Sequence, residues 1–309
     1  MDLRMFLVDA FTNTRFSGNP AAVVLLQQKL PDKVLLNVTR EFNQAETAFL
    51  EPLALNEEGT GVTEDSCRLS NRFGLRWFTP TGEIVLCGHA TLAAAHVLFQ
   101  CLGNESSLIK FSSLSGTLLA RRSGSHIVLD FPANDPIPLT TEQEEALGPL
   151  VEEVRGGLHV VEVLHSPALK YLMVRLDDST TRTDLESLHP DSSKLLSLHD
   201  GSGVKGIIVT VKGAPTSGEA AGNGTNRGFG HYHVASRFFA PWFGFLEDHV
   251  TGSAHTVLGP YWSEKLNTKS LTCRQCSPRG GDIEVTVRED GRIDLAGHSV
   301  TLIYIYISL

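Results

Sequence analysis

Apolar positions change their spacing several times within the first fifty residues. MFLVDAF and AAVVLL are nearly continuous apolar runs joined by the turn-rich TNTRFSGNP, a pattern that predicts two strands. LPDKVLLNVTREFN then places Val34 or Leu35, Val38 and Phe42 on one helical face, and ETAFLEP returns to a strand. Residues 54 to 72 and 213 to 230 are polar and turn-rich and read as surface insertions. Each precedes a related segment. RWFTP (Arg76 to Pro80) leads through seven residues to GHATLAAAHVLF, and RFFAP (Arg237 to Pro241) leads through ten to GSAHTVLGPYW. An Arg-aromatic-Phe-x-Pro strand recurring before a helix that starts on small residues predicts two halves of one design. Both helices are apolar around most of their circumference, with Leu92, Ala95, Val97, Leu98 and Phe99 in the first and Val257, Leu258, Tyr261 and Trp262 in the second. Each is expected at the centre of its own domain, surrounded by sheet. Gly259-Pro260 is expected to kink or shorten the second helix. TLIYIYISL, at the end of the chain, predicts an apolar strand that is paired or buried, since an exposed edge of that kind invites aggregation.

Composition narrows the function classes. A chain of 309 residues with 41% hydrophobic and 20% charged residues is long enough for two modest domains with real cores. Its 26 basic against 35 acidic residues give a formal net charge of -9, which argues against nucleic acid as a partner. Asp2, Arg4 and Asp9 interrupt the first apolar run, which therefore reads as a strand and not a signal peptide, and no apolar stretch is long enough for a membrane span. A cytoplasmic protein is expected. The five cysteines (Cys67, Cys87, Cys101, Cys273, Cys276) are odd in number and sparse, as suits reduced thiols. CRQC has no second pair to complete a zinc site, His231 and His233 of GHYHV read as loop histidines, and GNGTNRG has the wrong spacing for a nucleotide-binding loop. No metal and no cofactor are expected.

EDHVTGSAH (Glu247 to His255) carries two carboxylates ahead of a Thr-Gly-Ser triplet, residue types that serve helix N-termini by satisfying or exposing free N–H groups. Together with Gly-His-Ala at the other helix start, it offers N–H donors and positive dipole ends. If the two domains face one another, these starts meet across a cleft suited to a small carboxylate and to the enolate-like charge formed when a neighbouring carbon loses a proton.

FSGNPAAVV, QAETAFL, RWFTPTGEIVLCGHATLA, SRFFAPW and EDHVTGSAH, in this order over most of the chain, resemble the phenazine-biosynthesis protein F (PhzF) family, and within it the animal branch. The resemblance implies an α+β, diaminopimelate-epimerase-like fold of two pseudo-symmetric domains, each a mostly antiparallel sheet rolled around a central helix. The expected boundaries are 1–125, joined by the last strand at about 299–309, and 126–298. It also implies a cofactor-independent isomerase, often a homodimer, that moves a proton between carbons of a small carboxylate-containing substrate. The family's catalytic positions fall on Glu46, His89, Asp248 and Ser253. Gly88, Thr251 and Gly252 are expected to bind substrate. Glu46, at the polar start of an apolar strand, is placed to be desolvated, a setting in which carboxylates move protons on and off carbon. His249 departs from the proline common in relatives.

Two alternatives follow from the same residues. Racemases, epimerases and hydroxyproline dehydratases of this fold resemble the chain at Cys87-Gly88-His89, and since Thr251 stands where a second cysteine would be, a Cys87/Thr251-type dehydratase or epimerase is the variant considered. Otherwise Cys87 is expected to be a packing residue. A non-catalytic interaction scaffold that keeps the fold is the second alternative.

Overall fold

The structure, a computed structural model, describes residues 2–53, 64–213 and 228–308. Most of both expected insertions, and GNGTNRG apart from Gly228, lie outside the described residues. Where the first insertion is described it corrects the sequence reading, because Glu64–Leu69 closes into a short helix instead of a turn. Cys67 is buried there, and Asn104 Nδ2 donates to the Cys67 and Ser70 carbonyls, so tertiary contacts organise a locally polar segment. The chain groups into two compact units, Met1–Phe131 with Asp294–Leu309, and Pro132–Ile293.

In the first unit the strands are β1 (Asp2–Ala10), β2 (Asn19–Leu25), β3 (Thr47–Pro52), β4 (Arg72–Thr79), β5 (Gly82–Ile84), β6 (Leu108–Ser113), β7 (Gly116–Ser123) and β8 (His126–Pro132). β1 pairs antiparallel with β2, β2 parallel with β3, β3 antiparallel with β4, β4 parallel with β6, and β6 antiparallel with β7. Two helices occupy the two faces. α1 (Asp32–Phe42) turns Leu35 and Val38 onto Leu3, Met5, Ala22, Val24 and Phe49. α2, here the central helix Gly88–His96, buries every side chain from His89 to His96 and touches β1, β2, β3 and the C-terminal strand Ser299–Ser308. Such a helix has no polar face to offer water, so it belongs inside the sheet.

The second unit contains β9 (Ile137–Pro138), α3 (Thr141–Arg155), β10 (Val160–Ser166), β11 (Tyr171–Leu176), β12 (Gly206–Lys212), β13 (Val234–Phe239), α4 (Gly252–Leu266), β14 (Ser270–Gln275) and β15 (Gly281–Val287). β10 to β15 repeat the pairing sequence of the first unit: antiparallel, parallel, antiparallel, parallel, antiparallel. β12 is buried along nearly its whole length. Ile207 and Val209 pack with Leu150 and Val154 of α3, while Thr210, facing the other way, accepts the Trp262 indole N–H of α4 at 3.0 Å. Gly259-Pro260 does not end α4, which continues past Pro260 to Leu266. Gly259 has a packing reason, since a Cβ there would meet Ile293 and Val285 side chains at 2.9 Å.

The C-terminal strand pairs with β1 from Asp2↔Ser308 to Ala10↔Ser299. It is paired but not buried, with Ile303, Tyr304 and Tyr306 exposed. Tyr304 stacks on Phe6 at 4.8 Å, and the Arg4 guanidinium lies over both rings. No helix among the described residues is long and apolar enough to cross a membrane.

Candidate active site

The start of α2 carries a chain of three side chains. Cys87, the N-cap, is extended (φ -143°, ψ 114°) and makes no side-chain cap bond. Its Sγ instead lies 3.4 Å from His89 Nδ1. The other ring nitrogen, Nε2, is 3.2 Å from Glu46 Oε2, and the Glu46 and His89 side chains are only 12% and 6% exposed. That contact is electrostatic. His89 Nε2 makes no hydrogen bond although it is buried, so its N–H direction lies off the carboxylate oxygen. Glu46 is fixed by its position just before β3, where its carbonyl accepts the Ala22 N–H.

Burial alone would strip His89 of its proton, but negative charge on Cys87 and Glu46 outweighs it and holds the imidazolium well above the usual histidine range. Burial pushes the Cys87 thiol up, against the opposing pull of His89. Cys87, His89 and Glu46 form one compact group. Their donor atoms all lie within 4.8 Å of one another, and thiolate, imidazole and carboxylate are all metal-ligand types. Cys87 and Glu46 address opposite nitrogens of the His89 ring.

The start of α4 is built differently. Thr251, its N-cap, again makes no cap bond, and its Oγ1 donates to Asp248 Oδ2 at 2.6 Å. Gln275, fully buried on β14, holds this turn from both sides: its Oε1 accepts the Thr251 N–H at 2.8 Å and its Nε2 donates to the Asp248 carbonyl at 2.7 Å. Ser253 Oγ lies 3.0 Å from the Tyr171 hydroxyl of β11. The His249 carbonyl accepts from Ser277 Oγ. Gly88 and Gly252 are the first residues of their helices, so their N–H groups are among those a helix leaves without an internal partner. Thus Glu46 and His89 meet, Asp248 and Thr251 meet, and Ser253 takes a tyrosine that the sequence did not single out.

A second pair of positions completes the duplication. Arg76 Nε and one terminal nitrogen donate to the two Glu83 oxygens at 2.7 Å each, and the guanidinium sits 5.0 Å from the Phe78 ring. Arg237 grips Glu247 in the same fork at 2.6 and 2.7 Å, 4.9 Å from the Phe239 ring. Glu83 and Glu247 each stand five residues before the helix glycine, Gly88 or Gly252. The repeated Arg-aromatic-Phe therefore clamps the segment that delivers each helix start. Gln275 and Tyr171 left weaker traces. Gln275 occupies the inward side of the alternation in SLTCRQ with Leu271 and Cys273, a polar residue where an apolar one is expected, and that signal was available.

The chain matches the family model described as phenazine biosynthesis-like protein over residues 8–304. It is 44% identical over 303 residues to phenazine biosynthesis-like domain-containing protein 2 of Mus musculus, covering 98% of each chain. It is 37% identical over 302 residues to an uncharacterized isomerase of Pseudomonas aeruginosa, covering 97% of this chain and 96% of that one. A solved phenazine biosynthesis protein PhzF family structure from Enterococcus faecalis matches with a TM-score of 0.77 at 33% identity, over 100% of both chains.

Proposed function

The chain belongs to the phenazine biosynthesis-like (PhzC-PhzF) protein family, and from that premise we propose that it is an isomerase that moves a proton between carbons of a small carboxylic acid. Glu46 is the general base and acid. The observation that carries this reading is the buried Glu46–His89 pair at a helix start. A carboxylate held against an imidazolium pairs a proton acceptor with positive charge for an enolate-like oxygen. The N–H group of Gly88, at the start of the same helix, would bind the substrate carboxylate. Asp248 would act on Thr251, the residue whose hydroxyl it holds. The relative from Pseudomonas aeruginosa that bears the name isomerase supports the reaction class.

The reading calls on no metal or nucleotide; zinc or iron retained stoichiometrically, and lost together with activity, would count against it. The direct test incubates a mixture of small amino, keto and unsaturated carboxylic acids with the protein in deuterated water. Glu46→Gln preserves volume and is expected to cut enzyme-dependent deuterium gain by at least about 10²-fold, the lower end for acid-base loss. An acid that gains deuterium equally fast with both proteins would sink the assignment.

A further inference from the structure

The contact between Glu46 and His89 has an uncommon form. Oε2 and Nε2 stand 3.2 Å apart with both side chains nearly closed to water, yet the ring nitrogen makes no hydrogen bond. A buried imidazole nitrogen ordinarily points at its partner, because an unpaired buried polar atom is costly. Two ligands of one metal ion behave otherwise, since each points at the ion and past the other. With Zn–N and Zn–O bonds of about 2.0–2.1 Å and a Zn–S bond of about 2.3 Å, the donor atoms around a tetrahedral zinc stand about 3.2–3.6 Å apart. The Glu46–His89 spacing falls in that range as it is.

Cys87 supplies a third donor. Its sulfur, an imidazole nitrogen and a carboxylate oxygen lie within 4.8 Å of one another. Cys87 makes no cap bond and is in no disulfide, so its side chain can turn from Nδ1 toward Nε2. Closing on a tetrahedral ion takes a movement of about 1 Å. The start of α4 offers no such donor, because Thr251 there carries a hydroxyl that donates to Asp248.

We propose that Glu46, His89 and Cys87 form a zinc site, and that zinc bound there shuts the isomerase centre. The Glu46 carboxylate, His89 Nε2 and the Cys87 thiolate are the three protein ligands, and water takes the fourth position. Sulfur beside imidazole selects zinc over magnesium or calcium. Binding makes Zn–O, Zn–N and Zn–S bonds and releases to water the thiol proton and the proton on Nε2, while Nδ1 keeps its own. No electrons are transferred. A carboxylate committed to the ion cannot take a proton from carbon. This last consequence rests on the isomerase reading above, whereas the site rests on geometry alone.

Cobalt(II), titrated into the metal-free full chain at neutral pH, tests the site without a substrate, since it enters zinc sites and reports sulfur ligation by absorbance. One equivalent is expected to give a thiolate-to-cobalt band in the near ultraviolet, and zinc is expected to bleach it. Cys87→Ala, its folding checked by circular dichroism, should lose the band, while Cys276→Ala should keep it. Zinc affinity, read by competition with a chromophoric chelator, should fall at least about 10-fold in Glu46→Gln, since even groups that only support a ligand are worth that much. No sulfur band in the natural chain, a band that survives Cys87→Ala, or equal affinity in Glu46→Gln overturns the site. With any acid that gains deuterium, one equivalent of zinc is expected to stop the gain and a chelator to restore it. Gain that persists in the zinc-loaded protein overturns the inhibitory role. Absent cobalt binding beside a silent Glu46→Gln leaves the isomerase reading standing, whereas an active Glu46→Gln that binds zinc less tightly removes that reading and not the site.

Discussion

His255 shows how one side chain ties stability to acidity. It lies on α4 with no exposure, its Nδ1 meets the Thr251 carbonyl at 2.8 Å, and burial pushes its pKa down to about 4. His96, buried on α2, is pushed down to about 4 in the same way. A base with a lowered folded pKa binds its proton more readily when the chain is unfolded. The contribution of each is therefore complete above the unfolded value of about 6.5 and is lost as pH falls toward about 4, on the order of 3 kcal/mol apiece. His89, raised instead, works in the opposite sense: its contribution is present below about 6.5 and is lost as pH rises through its higher folded pKa. Urea midpoints followed from neutrality to about pH 4 should fall less steeply for His255→Gln than for the natural chain. Parallel curves would mean that His255 is not the group responsible. None of this was legible in the sequence, where His255 is one more histidine in a small-residue helix. Glu46 and His89 were legible because they sit in recognisable motifs, whereas the contact between Cys87 and His89 depends on the extended backbone at Cys87, which no spacing announces.

At the scale of elements, the Arg-aromatic-Phe repeat is the feature the sequence displayed most openly, and its physical content is the clamp onto Glu83 or Glu247. The two clamps differ in burial. Arg237 is 2% exposed and also donates to the Leu185, Glu186 and Leu188 carbonyls, while Arg76 is 24% exposed and shares itself with Asp32. Removing a buried partner strands a charge and three carbonyls, a loss of about 3–5 kcal/mol, whereas a half-exposed pair costs nearer 1. Arg237→Ala should therefore lower the urea midpoint much more than Arg76→Ala does. Equal losses would argue that the clamps act alike despite their burial. The same alternation that marks strands also hid Gln275, since a polar residue inside a strand reads as an error until its partners at Thr251 and Asp248 are seen. Pro260, expected to kink or shorten its helix, does not shorten it. A propensity that ends exposed helices is overridden where the helix is enclosed by β14 and β15 and Gly259 lets the sheet approach.

For the molecule as a whole, the repeated order of strand pairings, antiparallel and parallel in turn, is what the sequence could only suggest through two similar segments. Pairing partners lie far apart in the chain and leave no local trace, which is why the parallel pairs of β2 with β3 and of β4 with β6 went unread. The C-terminal strand is the clearest long-range case, supplying β1 with a partner along its full length. Ending the chain at residue 298 would leave that edge open. Such a truncated chain should lose the cooperative unfolding of its first unit while residues 132–293, expressed alone, still melt cooperatively. Retention of both transitions would show that the pairing is dispensable.

The meeting of first and last strands also sets an order of events on the ribosome. Residues 132–293 are continuous and can close as soon as they emerge, but β1 must wait until about 290 further residues have been made, roughly 15 to 60 seconds at ordinary elongation rates. During that interval Leu3, Met5 and Val8, fully or almost fully buried at the end, have no finished sheet to enter. The half of the protein that is synthesised first is thus the half that matures last, and its opening strand is the segment a nascent-chain chaperone would be expected to hold.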